Sequence, residues 1–103
     1  RKHAIHLATV HEVIARVNRI ETMGRRLSVL YPVSLDSIDE SHKHAGHAGA
    51  RDGGGHYKLR IVSAQFAGKN TMERHRMIYS ALGEMMKREI HALNIQAHAP
   101  DEI

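Results

Sequence analysis

Residues 56–63 read HYKLRIVS, which is the clearest strand pattern in the sequence. Tyr57, Leu59 and Ile61 alternate with polar or charged neighbours, which is the period of a β-strand whose two faces meet different surroundings. A second alternating segment, 33–39 (VSLDSID), precedes it, and a long stretch rich in glycine and histidine connects the two. The pair therefore predicts an antiparallel hairpin with a long, exposed connection.

Apolar residues at helical spacing flank this hairpin on both sides. Before it, the pattern over residues 7–30 predicts one amphipathic helix, or two joined near Gly24, and Pro32 closes the region. After it, Asn70 followed by Glu73 has the form of an N-capping box. A second helix is therefore expected to open at this box.

The second helix is expected to carry Lys87 and Arg88 at its C-terminal end, where the helix dipole favours cations. Its buried face is predicted from five apolar residues: Met77, Ile78, Ala81, Leu82 and Met85. Segment 91–98 (HALNIQAH) alternates again, and Pro100 ends it. This third strand is expected to place four residues on one face: His91, Leu93, Ile95 and Ala97.

The element order read from these patterns is α-β-β-α-β, which is an α+β fold. Because the last two strands are joined through a helix, they should be parallel, with a right-handed crossover. The sequence therefore predicts a mixed three-stranded sheet with its helices on one face.

Composition limits the possible functions. The 103 residues are enough for one domain with a modest core, and the formal net charge of +4 permits binding to nucleic acid or to an acidic protein surface. The absence of cysteine excludes disulfides, thiolate ligands and a cysteine nucleophile, and it fits a reducing compartment, for which we expect the cytoplasm. No apolar run approaches the roughly 18 residues of a membrane span, so no membrane association is expected.

The sequence does not favour catalysis. It contains no GxSxG elbow, P-loop or HExxH motif. The contiguous acid, hydroxyl and imidazole in 39–42 (DESH) do not resemble a triad, because the members of a triad normally come from separate elements. We therefore expect a protein that is not an enzyme.

Histidines are concentrated in the connection between the first two strands. Residues 41–56 (SHKHAGHAGARDGGGH) contain four of them: His42, His44, His47 and His56. His91 opens the third strand, and the starts of neighbouring parallel strands lie side by side, so His91 is expected near His56. Two neutral imidazoles are good ligands for borderline metals. A solvated loop and a surface for a charged partner remain alternatives.

A basic cluster lies where a turn enters the second helix. Lys69, Arg74, His75 and Arg76 stand in a position that can contact phosphates, with Glu73 as the only acid among them. A solvated first helical turn is the alternative interpretation. The aromatic platform of an RRM and the second glycine of a KH loop are both missing from this sequence.

Taken together, these segments resemble the BolA family over residues 17–103. Four stretches carry the resemblance: DESHKHAGHAG (39–49), HYKLRIVS (56–63), FAGKNTMERHRMIYSAL (66–82) and IHALNIQAHAP (90–100). The resemblance implies an α-β-β-α-(α)-β fold with class II KH-like topology, in which the region 64–88 breaks into a short turn-like helix and a longer one. Residues 1–16 have no clear family counterpart and are expected to be an N-terminal extension or the start of the first helix.

The resemblance further implies a partnership with a monothiol glutaredoxin and a [2Fe-2S] cluster bridged between the two proteins. The glutaredoxin and its bound glutathione would supply thiolates, and this chain would supply imidazoles. By position, His91 matches one ligand of the family and His44 the other, with His42, His47 and His56 as possible substitutes. The isolated chain is expected to be a monomer without a cluster.

The family is also described as transcriptional regulators, and this is the alternative function. In that interpretation Lys69, Arg74 and Arg76 would contact the phosphates of DNA, whereas His75 is expected to have a structural or surface role.

Overall fold

The computed structural model describes residues 2–40 and 55–103. These described residues form two α-helices and three strands: α1 (Lys2–Leu27), β1 (Ser34–Asp39), β2 (Gly55–Val62), α2 (Thr71–Leu82) and β3 (Ile90–His98). Short 3₁₀ turns follow α1, β2, α2 and β3.

The three strands form one mixed sheet in the order β1-β2-β3, with β2 at its centre. β1 runs antiparallel to β2, with Leu35 opposite Ile61, and β3 runs parallel to β2, with Ile95 beside Leu59. The antiparallel hairpin and the parallel third strand predicted from the sequence are both confirmed.

The core lies on one side of this sheet. Tyr57, Leu59 and Ile61 are buried on β2, as their alternation predicted, and we call the side of the sheet on which they lie the inner face. Nine further residues complete the buried cluster around them: Met23, Leu27, Leu30, Phe66, Ile78, Leu82, Met85, Ile90 and Ala99. Burying each of the large apolar side chains among them stabilises the fold by about 1.5–3 kcal/mol, which makes the inner face the main source of stability.

The α1 helix is unbroken through Gly24. Its C-terminal part packs on the sheet, with Met23 and Leu27 fully buried, whereas Val13 and Val17 lie about half exposed in the preceding turns. Neither helix in the described part of the chain has an apolar stretch long enough to cross a bilayer.

The start of α2 is as predicted, and its end is not. Asn70 accepts a hydrogen bond from the Glu73 amide at 2.8 Å, and the Glu73 carboxylate accepts one from the Asn70 amide at 2.9 Å, so the capping box is confirmed. The helix ends at Leu82 instead of reaching Lys87, because Gly83 adopts a positive φ of 55°. Glycine takes this conformation at little cost, and it commonly ends helices for that reason.

The C-terminal turn is held to α2 by Arg74. Its guanidinium makes a bidentate ion pair with the Glu102 carboxylate at 2.6 Å and donates to the Ala97 carbonyl at 3.0 Å. The Arg74 side chain is only 11% exposed. Bonding to Arg74, aided by the Ala99 amide, lowers the pKa of Glu102 to about 2, and the same ion pair raises the pKa of Arg74.

Replacing Glu102 by Gln should lower stability in a pH-dependent way. Because the folded-state pKa of Glu102, about 2, lies below its ordinary value of 4.5, its contribution is fully present above pH 4.5. That contribution is lost as the pH falls from 4.5 towards 2. In urea unfolding followed by circular dichroism, Glu102→Gln should therefore be less stable than the parent at pH 7, and the difference should shrink below pH 4.5.

Glu84→Gln is the matched control, because Glu84 makes only a 3.8 Å surface contact with Lys87. It should change stability little at any pH. A deficit in Glu102→Gln that is equally large at pH 7 and at low pH would contradict the assignment to the ion pair.

Candidate metal centre

Two imidazoles meet at the end of the sheet where β2 and β3 begin. The ring centroids of His56 and His91 lie 5.2 Å apart, with the ring planes inclined at 45°. The sequence predicted this proximity from the parallel pairing of the two strands, and it is confirmed.

A β-bulge brings the two rings together. Gly55 pairs with Ile90 and His56 pairs with Ala92, so His91 is the extra residue between two successive pairs. Ile90 is buried in the core and His91 is exposed. The prediction that His91 shares a face with Leu93 is therefore wrong, because the bulge turns His91 away from the core, towards His56.

Two backbone hydrogen bonds and a close side-chain contact hold the first residues of β2 in place. The Gly55 amide donates to the Glu89 carbonyl at 2.8 Å, and the His56 carbonyl accepts from the Glu40 amide at 2.7 Å. A β-carbon added to Gly55 would overlap the ring of Tyr57, which is buried. Only glycine therefore fits beneath this ring, and Gly55 helps to set the position of the neighbouring His56.

The distance between the rings suits two ligands of one metal ion. Imidazole nitrogens bind at about 2.1 Å, so two rings on one tetrahedral ion have centroids roughly 5 Å apart. His91 is exposed and His56 is half-buried, so at least one ring is open to an incoming group. Among the described residues no group of three or more His, Asp or Glu side chains could hold a metal. Two imidazoles from this part of the chain would therefore make up half of a four-ligand site.

Three of the predicted ligands, His42, His44 and His47, fall within 41–54 and lie outside the described residues. The structure thus brings together His91 and His56 from the predicted set. The role of Gly55 in positioning His56 was not predicted from the sequence. The stretch GGGHY indicates it, because a glycine two positions before an aromatic residue on a strand can lie against the aromatic ring.

The predicted basic cluster divides into two groups. Lys69 and Arg76 are exposed, whereas Arg74 is engaged with Glu102 and the Ala97 carbonyl. His75 lies edge-on to Tyr79, with ring centroids 6.2 Å apart, and its structural or surface role stays a prediction. The exposed positive charge of this cluster therefore comes from Lys69 and Arg76.

Comparison with known proteins places these features in a family. The family model described as BolA-like protein matches residues 27–102. The chain belongs to the BolA-like family. The match begins at the last residue of α1 and includes the hairpin, α2 and β3, so the histidine pair and the Arg74–Glu102 ion pair both lie within it.

Three curated relatives show how far the similarity extends. The SufE-like protein 1 of Arabidopsis thaliana, described as chloroplastic/mitochondrial, is 47% identical over 79 residues, which cover 72% of this chain and 21% of that protein. The chloroplastic protein BOLA1 of the same plant is 40% identical, covering 82% of this chain and 56% of that protein. The DNA-binding transcriptional regulator BolA of Escherichia coli is 39% identical, covering 82% and 75%. This chain therefore spans only part of the first two proteins.

Solved structures of BolA domains have the same fold as this chain. The BolA domain of SufE1 from Arabidopsis thaliana superposes with a TM-score of 0.68 at 43% identity, covering 79% of this chain and 91% of that domain. BolA1 from the same plant gives a TM-score of 0.66 at 35% identity, covering 79% and 90%. The α+β class predicted from the sequence is confirmed.

Replacing Gly55 by Ala should disturb the histidine pair. The new methyl group would overlap the Tyr57 ring, so the ring or the start of β2 must shift, at a cost of about 1–3 kcal/mol in the free energy of unfolding. Chemical denaturation would measure that cost. Loss of the nuclear Overhauser effect between the His56 and His91 rings would report the displacement.

Gly24→Ala is the matched control. A β-carbon there would lie 4.0 Å from Leu35, an ordinary contact, and Gly24 is in the body of α1. Alanine should therefore stabilise the protein by about 0.5–1 kcal/mol and leave the two histidine rings in place. If Gly55→Ala matched the parent in both measurements, the positioning role of Gly55 would be wrong.

Proposed function

We propose that this chain shares a [2Fe-2S] cluster with a monothiol glutaredoxin and serves in iron–sulfur cluster trafficking or in iron or redox sensing. The observation that carries the proposal is the 5.2 Å separation of the His56 and His91 rings at the end of the sheet. In this proposal the cluster is cargo passed between proteins. The chain acts as a binding partner and not as an enzyme.

The donor chemistry supports a shared cluster. A chain without cysteine offers imidazole and carboxylate to iron and cannot supply thiolates. In Rieske centres two histidines replace two cysteines on one iron of a [2Fe-2S] cluster, which raises its reduction potential. The glutaredoxin and its glutathione would supply the two thiolates here. Because an imidazolium cannot bind iron, ligation by this chain would weaken in acid.

The two proposed histidine ligands are assigned on different grounds. His91 is the ligand implied by the family resemblance, and the bulge exposes it at the start of β3. The second ligand is His44 by family position or His56 by proximity to His91. The proposal takes His91 as one ligand and one of these two as the other. The monomeric state without a cluster and the cytoplasmic location stay predictions.

Visible absorption and circular dichroism would test ligation. Cluster-loaded monothiol glutaredoxin titrated with this protein should change its charge-transfer bands and saturate at a one-to-one ratio. His91→Ala should abolish the change, because it removes a direct ligand. Comparison of His44→Ala with His56→Ala then assigns the second ligand, since only the variant lacking it should behave like His91→Ala.

His11→Ala is the matched control, because His11 is exposed on α1, outside the strands that carry the site. It should leave the spectra unchanged. If the parent protein produced no spectral change at any ratio, the cluster-sharing function would be ruled out. A change that survives His91→Ala would remove His91 from the ligand set.

Binding to DNA is the second candidate function. A relative with 39% identity is named a DNA-binding transcriptional regulator, and Lys69 and Arg76 are exposed near the start of α2. These two cations would contact phosphates, whereas Arg74 would act through the ion pair that fixes the C-terminal turn.

Neutralising Lys69 and Arg76 to Gln should weaken duplex DNA binding and its salt dependence. Removing one phosphate-binding cation should reduce the slope of log affinity against log salt by about 0.9, so removing both should reduce it by roughly 2. Fluorescence anisotropy at several salt concentrations would measure this. Lys87→Gln with Arg88→Gln, two exposed cations beyond α2, is the control. Equal effects of the two pairs would rule out a site at the start of α2.

A further inference from the structure

The side of the sheet opposite the core carries a distinct set of residues, which we call the open face. It consists of Asp36 and Ile38 on β1, Lys58 and Arg60 on β2, and Asn94 and Gln96 on β3. Ile38 is 52% exposed, and the other five are exposed or half-exposed. In the described part of the chain, the buried residues of both helices pack with the inner face instead.

The open face carries two available cations at its centre. Lys58 and Arg60 lie two positions apart on β2, so both side chains project to the same side of the sheet. Asp36 stands directly opposite Arg60 in the strand register, yet no ion pair joins them, and neither cation is in an ion pair within the described residues. As far as the described residues are concerned, their charges are therefore available to an outside partner.

The histidine pair lies at one end of this face. His56 is two residues before Lys58 on the same strand and therefore projects to the same side, and the bulge turns His91 towards it. A metal group held by these rings would lie on the open-face side of the sheet. A protein that completes its ligand set must approach from that side and lie over Lys58 and Arg60.

We propose that the open face is the docking surface for the cluster-carrying partner, and that this partner presents acidic side chains to Lys58 and Arg60. This inference rests on the proposed function, because it takes the His56–His91 end as the place where the cluster is shared.

The area of the open face is suited to a transient complex. The eight residues of β2 at about 3.3 Å each, and three strands each about 4.8 Å wide, give this side of the sheet an area of roughly 380 Å². Stable complexes bury about 800 Å² on each partner, and transient ones bury less. Cations at the centre of a small interface mainly accelerate association and select the partner, which suits the transfer of a cluster.

The residues of the open face favour a protein as its binding partner over a nucleic acid. None of its six residues is an aromatic on which a base could stack, and Asp36 would repel a phosphate placed beside Arg60. Ile38 at the margin adds an apolar contact of the kind that protein interfaces bury.

The test compares two charge reversals. Lys58→Glu with Arg60→Glu changes the open face, and Lys69→Glu with Arg76→Glu makes the same change in charge at the start of α2. Affinity for cluster-loaded monothiol glutaredoxin should fall at least about tenfold for the first pair, more at low salt, and much less for the second. Amide chemical shifts of the unmodified protein, recorded during titration, should change at Lys58, Arg60 and Gln96. This second measurement does not depend on whether the variants fold.

The outcomes separate the inference from the proposed function. If the parent protein causes no change in the cluster spectrum, both are overturned. If the spectrum changes as expected but the two reversals weaken binding equally, or the shifts map to α2, the docking surface is wrong and cluster sharing stands. Shifts at the open face caused by duplex DNA and not by the glutaredoxin would also overturn the inference.

Discussion

The parallel pairing of β2 with β3 determines both the path of the chain and the position of the two histidines. Parallel neighbours require a crossover, and here α2 provides it and packs Ile78 and Leu82 against the inner face of the sheet. The same pairing sets the starts of the two strands side by side. Two histidines separated by 34 intervening residues in the sequence therefore meet because of the backbone register, and they stay together wherever the sheet is formed.

Different structural features determine the two ends of β3. At its start the bulge leaves His91 exposed while Ile90 stays in the core. At its end Arg74 bonds the Ala97 carbonyl and the Glu102 carboxylate, which ties the strand and the C-terminal turn to α2. An arginine that looks like a phosphate ligand in the sequence thus has a structural role. At the other end of β3, among the described residues, the exposed His91 lies beside His56.

Alternation and capping chemistry were sufficient to predict most of the fold. Strands at 33–39, 56–63 and 91–98 are predictable because each has one apolar side, and the start of α2 is predictable because Asn70 and Glu73 form a capping box. The early end of α2 depends on the φ angle of Gly83, which the residue type permits but does not dictate. The bulge was not predictable, because a period of two extends through His91 without interruption. The register changes because Ile90 gains more from burial than His91 does.

Ligation by imidazole in place of thiolate would have a chemical consequence for the proposed shared cluster. Replacing two thiolates by two neutral imidazoles removes two negative charges from the cluster, which lowers the cost of covering it with protein. Imidazole ligands are also lost on protonation, whereas the ring positions here are set by the strands. If His56 is the second ligand of the proposed cluster, the geometry of the site comes from the β2–β3 pairing and not from the metal, so the proposed release of iron would not require unfolding. A chain built this way would present the same pair of rings before and after each transfer.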